Sequence, residues 1–165
     1  MALNMSVIAL ALLSGLFQPQ VIPDMSGTWV VMMKDPATQA PLEERISIVQ
    51  TPSSLTMTYR FNGVLFEETL YRPGEVVERP YRTSPYLLKV DSALKDGALV
   101  ATLTIRTQGA EQKVLRVEEQ RWHLEGERLV KESTLTATSA GIRSPTNTTT
   151  FQRPQSELLS PRLGR

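Results

Sequence analysis

Few side chains in this sequence could do chemistry, and they are widely spaced. His123, the one histidine, stands beside Trp122 and offers a general base or a single metal ligand. That count rules out a multi-imidazole metal centre within one chain. The absence of cysteine removes disulfides, a thiol nucleophile and thiolate-bound zinc. No Gly-x-Ser-x-Gly elbow, phosphate loop or His-Glu-x-x-His helix occurs, and the Ser and Asp residues gather at turns, where capping explains them. The sequence therefore nominates no catalytic residue, no metal site and no cofactor, and an enzyme is not indicated. What remains are polar groups that strand alternation could turn inward. Glu68 shares parity with Phe66 and Leu70, and Glu118 and Gln120 share parity with Trp122 and Leu124. A carboxylate enclosed by apolar walls needs a partner or a raised pKa, so it could orient the polar group of a ligand. The other parity is open for both strands, since Leu115 and Val117 compete for the interior, and solvated faces with cross-strand ion pairs are the simpler outcome. If Trp122 is buried, His123 faces water.

The elements that must position these groups are strands. From Gly27 onward turn residues punctuate the chain at short intervals. Strands are predicted over 28–34, 44–50, 55–61, 64–71, 86–92, 98–107, 113–124, 128–138 and 147–153. The alternation is cleanest in 55–61, where Leu55, Met57, Tyr59 and Phe61 oppose Thr56, Thr58 and Arg60. Asn62-Gly63 and Lys95-Asp96-Gly97 are hairpin signals. The stretch 72–85 holds Pro73, Pro80 and Pro85, which rules out a central strand there. Hairpin-length links throughout predict an all-β fold, a single antiparallel up-and-down β-barrel of about 8–9 strands.

Three segments follow. Residues 1–23 carry no charged side chain, and Val7 to Phe17 is apolar apart from Ser14 and Gly15. That run is too short to span a bilayer, which needs about 20 residues, and has the size of a signal peptide, cleaved between Gly15 and Asp24. The barrel is expected over 24–153 and a frayed tail over 154–165. Export to the periplasm or outside is therefore expected, with no integral membrane span in the mature chain. Eighteen Lys and Arg against 17 Asp and Glu, scattered along the chain, give no basic patch for nucleic acid.

Asp24-Met25-Ser26-Gly27-Thr28-Trp29 resembles the opening of the lipocalin-like proteins exported by many bacteria, and the resemblance runs across nearly the whole mature chain. Arg45 to Gln50 is similar to that group's second strand, Phe61-Asn62-Gly63 to its first tight hairpin, Arg121 to Leu129 to its Trp-then-turn hairpin, and Thr150-Phe151-Gln152-Arg153 to its ending. Lipocalins share a Gly-x-Trp on the first strand and a basic residue on the last that packs over the Trp ring, which the resemblance places at Gly27, Trp29 and Arg153. In a closed barrel the first and last strands are neighbours, so a guanidinium lying on an indole closes the ring. Gly27, Trp29, Phe151 and Arg153 are thus expected as structural closure residues. The chain departs from the larger lipocalins in lacking disulfides and a long helix after the barrel.

About eight strands enclose either packed side chains or one small ligand. The expected ligand-binding lining is Met33, Met57, Tyr59, Phe61, Phe66, Glu68, Leu103, Glu118 and Gln120, which suits a small hydrophobic or amphipathic molecule. The alternative is a filled barrel with a structural or interaction role in the cell envelope.

Overall fold

The tightest turns set the register. In a computed structural model that describes residues 22–82, 85–138 and 140–155, Asn62 and Gly63 have φ of 46° and 80°, and Asp96 and Gly97 have 51° and 72°. Positive φ at both central residues matches the right-handed twist of the flanking strands, so each pair folds its strands back as a hairpin. The elements are β1 (Gly27–Lys34), β2 (Pro41–Gln50), β3 (Leu55–Phe61), β4 (Val64–Tyr71), β5 (Val76–Pro80), β6 (Tyr86–Lys95), β7 (Ala98–Thr107), β8 (Val114–Glu125), β9 (Arg128–Ala137), β10 (Ile142–Arg143) and β11 (Asn147–Phe151). All pairings are antiparallel, in the orders β1-β2-β3-β4 and β10-β9-β8-β7-β6-β5, with β11 also on β9.

β10 and β11 both lie along β9, β10 against Thr136 and Ala137 and β11 against Leu129 to Ser133. They are two halves of one strand, broken where Pro145 has no N–H to give. Ser144 bridges the break: its N–H donates to Leu135 O at 2.8 Å, and its Oγ accepts from Leu135 N at 2.9 Å. Among the described residues the chain is therefore an up-and-down path with one strand more than the nine expected. The added strand is β5, inside the proline-rich stretch expected to be irregular. It bonds only to β6, so its other edge has no ladder to lose and its terminal Pro80 is tolerated.

The two sheets meet along two seams of different kind. Val30 N donates to Gln152 O at 2.8 Å and Gln152 N to Val30 O at 2.9 Å, which joins the first strand to the end of the last. Between β4 and β5 no ladder forms among the described residues. A side chain crosses instead, Arg79, whose guanidinium donates to Glu68 O and lies 3.6 Å from Glu67.

The end of the barrel where β1 starts is filled. Trp29, Trp122, Phe151, Leu55, Leu99 and Leu129 are fully buried there, and Trp122 stacks on Phe151 with centroids 6.2 Å apart. Burying such rings contributes about 2–3 kcal/mol each by area. The segment before β1 belongs to this plug: Met25 O accepts from Trp29 Nε1 at 2.8 Å, Met25 N donates to Gln50 Oε1 at 3.0 Å, and Ile22 O accepts from Gln50 Nε2 at 3.3 Å. Ile22 is buried with them, so packing begins two residues ahead of the expected start at Asp24. The rest of the expected leader, 1–21, and the tail beyond Gln155 lie outside the described residues.

Candidate functional site

The opposite half of the barrel is not filled. A cavity of about 150 Å³ lies there, walled by β2, β3, β4, β6, β7, β8 and β9 together with Tyr81. One wall is apolar, with Phe61, Phe66, Leu88, Leu103 and Ile105; the other carries Glu44, Arg116, Glu118, Gln120 and Lys131.

Alternation explains most of the lining. On β7, Leu99, Ala101, Leu103 and Ile105 all point inward, as expected from their parity. On β8 the open question is decided for the even residues, since Gln120 and Trp122 are buried and pair with inward Ala101 and Leu99. The register slips between Ile105 and Arg106, where Ile105 pairs with Arg116 and Arg106 with Val114. Leu115 is the extra residue of that bulge and half-packs on the core, while Val117 stays on the outer parity.

A second bulge corrects the expectation for Glu68. Tyr59 pairs with Glu67 and Arg60 with Leu65, so Phe66 is the extra residue and the parity of β4 inverts across it. Phe66 lines the cavity and meets Phe61 edge-on at 5.0 Å, and Glu67, Thr69 and Tyr71 face inward. Glu68 is turned to the exposed face, where its Oε2 accepts from Thr58 Oγ1 at 3.2 Å. Two further residues of the expected lining stand away from the cavity. Met57 is fully buried in the core, its Sδ 3.6 Å from Tyr59 Oη, and Met33 is half-exposed near the end of β1. The expected residues that do converge are Tyr59, Phe61, Phe66, Leu103, Glu118 and Gln120.

A directed chain of hydrogen bonds sets the polar wall. Trp122 Nε1 and Tyr71 Oη each donate to Gln120 Oε1 at 3.0 Å, which fixes the amide so that its Nε2 donates to Glu118 Oε1 at 2.9 Å. Lys131 Nζ lies 3.3 Å from the same oxygen, and Arg116 Nη2 donates to Glu118 Oε2 at 2.8 Å. Lys131 also sits over the Trp122 and Tyr59 rings, at 5.3 and 5.8 Å. Burial alone would raise the Glu118 carboxyl. Lys131, the Gln120 hydrogen bond and Arg116 outweigh it and hold that carboxyl below its ordinary range. Glu44, across the wall, has no hydrogen-bond or ion-pair partner within 4 Å among the described residues. Burial raises its carboxyl; attraction to Lys131 takes back part of that rise, and the smaller repulsion from Glu118 adds to it. Burial likewise pushes the Tyr59 and Tyr71 phenols up, so both are neutral donors at any ordinary pH.

Glu44 and Lys131 were legible by parity, Glu44 with Ile46 and Ile48 and Lys131 with Leu129. Glu67 was hidden by the bulge. His123 is half-buried on the outer parity, the opposite face of β8 from this wall, and pairs with Glu125 Oε1 at 3.2 Å. Among the described residues no group of three His, Asp or Glu is placed to hold a metal ion, and no helix is long and apolar enough to cross a membrane.

The closure residues stand together at the other end. The Arg153 guanidinium lies 3.8 Å from the centre of the Trp29 ring, and Gly27 sits beneath it with φ of 107°. A Cβ at Gly27 would overlap Arg153 Nη1.

No protein-family model and no curated protein matches the chain in sequence. Among solved structures it is similar to fatty-acid-binding protein 1 of Echinococcus granulosus, with TM-score 0.51 and 14% identity over 78% of this chain and 96% of that one. It is also similar to a secretory abundant heat soluble protein of Ramazzottius varieornatus, with TM-score 0.54 and 9% identity over 79% and 95%. A third is the REP1-NXSQ fatty acid transporter, with TM-score 0.51 and 9% identity over 80% and 97%. The fold is that of the lipocalin-like β-barrels.

Proposed function

We propose that this barrel binds one small amphipathic molecule in the half of its interior that side chains leave open. The observation that carries the reading is the division of the cavity wall, Phe61, Phe66, Leu88, Leu103 and Ile105 on one side and the Gln120–Glu118–Lys131 chain on the other. An apolar body with one polar end satisfies both without leaving a buried polar group unpaired. Two of the similar structures carry fatty-acid binding or transport in their names, which agrees with an apolar ligand. The volume limits its size, since a cavity of ~150 Å³ holds a benzene-sized molecule.

That volume also favours a second reading. Ligand pockets run from about 300 Å³ upward, and the plugged half already supplies a core, so a filled barrel acting through its surface is consistent with the same interior. Native mass spectrometry of the purified protein separates the two. Retained small-molecule mass, or a stoichiometric complex with an added short amphiphile, is expected; neither appearing would sink the binding reading.

Export is part of the proposal and rests on the uncharged, apolar leader, in keeping with the exported lipocalin-like proteins of bacteria. The burial of Ile22 in the core supports cleavage in the earlier part of the expected window, between Gly15 and Val21. N-terminal sequencing of the secreted product tests this, and a mature chain beginning at Asp24 would contradict it.

A further inference from the structure

The groups on the cavity wall that would receive an acidic head group are already turned onto a carboxylate of the chain itself. Glu118 Oε2 takes Arg116, and Oε1 takes both Gln120 and Lys131. Its side chain is 16% exposed, and so is that of Lys131. Trp122 and Tyr71 lock the Gln120 amide in the orientation that points its Nε2 at Glu118, so the amide cannot turn to another acceptor without leaving a buried donor unpaired.

The surrounding charges do not invite a second anion. Glu44 is a carboxylate on the same wall, and with Glu118, Arg116 and Lys131 it makes two negative and two positive charges. Glu67 is held from the other side by Thr69 Oγ1 at 3.2 Å and by Arg79 and Arg82 at 3.6 and 4.0 Å. Arg82 is further committed to the faces of Phe66 and Tyr81, at 4.0 and 5.1 Å. A ligand carboxylate would need to displace Glu118 from its three donors while facing Glu44. An uncharged hydroxyl has no such conflict: it accepts from Lys131, which keeps donors to spare, and donates to Glu44.

Resting on the binding reading above, we propose that Glu118 occupies the place of a ligand's acidic head group, so that the cavity takes a hydroxyl-tipped amphiphile and rejects the acid of the same shape. Removing the Glu118 carboxylate frees Arg116, Gln120 and Lys131 and turns the cavity into an acid-binding one.

The test uses benzyl alcohol and benzoate, a ring-sized pair of matched shape, titrated calorimetrically at pH 7 into the full chain and into Glu118→Ala and Glu118→Gln. The wild type is expected to prefer the alcohol by about tenfold or more, since the acid would set a further carboxylate against Glu44 and Glu118. Glu118→Ala is expected to prefer the acid, and Glu118→Gln to lose the discrimination. Acetate should raise the melting temperature of Glu118→Ala and leave the wild type unmoved, a readout that holds even where the variant is only partly folded. Equal or tighter wild-type binding of the acid overturns the proposal, as does failure of both variants to gain acid affinity. A wild type that binds neither compound beside a Glu118→Ala that binds the acid supports the role of Glu118 and refutes the ligand reading. No binding by any of the three proteins refutes both.

Discussion

Gly27→Ala is the sharpest probe of the closure, because its cost divides into parts that can be separated. The backbone there has φ of 107°, a region that side-chain-bearing residues avoid at about 1–3 kcal/mol. The added Cβ would also overlap Arg153 Nη1. That atom ends a flexible side chain, so the guanidinium can swing away, and the penalty is loss of its stack on Trp29, about 0.5–2 kcal/mol. Together the two give roughly 1.5–5 kcal/mol, or a fall of about 1–2.5 M in the urea midpoint at an m-value of about 2 kcal/mol/M. Arg153→Ala alone loses only the stack, about 0.5–2 kcal/mol. In the Arg153→Ala background the glycine substitution should therefore cost only its backbone part, leaving a coupling of about 0.5–2 kcal/mol between the two positions. Urea titrations of the four proteins, followed by Trp fluorescence, measure that coupling. Strict additivity within about 0.3–0.5 kcal/mol would refute the reasoning and reduce the guanidinium–indole contact to mere proximity.

Three other outcomes are expected. Trp29→Ala should cost about 3–5 kcal/mol in the same titration, because Trp29 is 2% exposed and fills the plug; a loss under about 1 kcal/mol would mean the end of the barrel collapses freely. Ile22→Ala should cost about 2–4 kcal/mol of stability if the segment before β1 packs as described, and an unchanged urea midpoint would put the start of the domain after it. Glu44→Gln should raise stability at neutral pH. Burial raises this carboxyl in the folded state, so its ionisation opposes folding above its folded pKa and the penalty vanishes on acidification. Glu118 has the opposite sign: lowered in the folded state, it contributes stability above the unfolded carboxyl range that is lost as pH falls through its folded value. Melting curves between pH 3 and 8 should therefore show Glu44→Gln above the wild type at pH 7 and converging with it near the acid end, and a variant less stable than the wild type at pH 7 would contradict the assignment.

Local chemistry was enough to read the strands, because alternation and turn residues act within a few positions of each other. Thr56, Thr58 and Arg60 against Met57, Tyr59 and Phe61 name a half-buried strand whatever surrounds it, and Asn62-Gly63 ends it because both residues accept positive φ. The resemblance to lipocalins named Gly27, Trp29 and Arg153 as a set, and the closing of a meander into a ring is the physical reason that they meet. Tertiary structure decided the cavity. Extra residues at Phe66 and Leu115 shift register, and a shift of one residue exchanges every side chain beyond it between inside and outside, so Glu67 faces the interior where parity pointed to Glu68. Bulges leave little mark in the residue types beside them, because they are set by how neighbouring strands twist past one another. The same holds for β5, whose terminal Pro80 excludes a central strand and permits an edge, which the seam with β4 supplies. The division of the barrel into a plugged half and an open one was likewise undecided by composition. Side-chain volume at each level of a barrel depends on which strands meet there, and that is known only once all of them are in place.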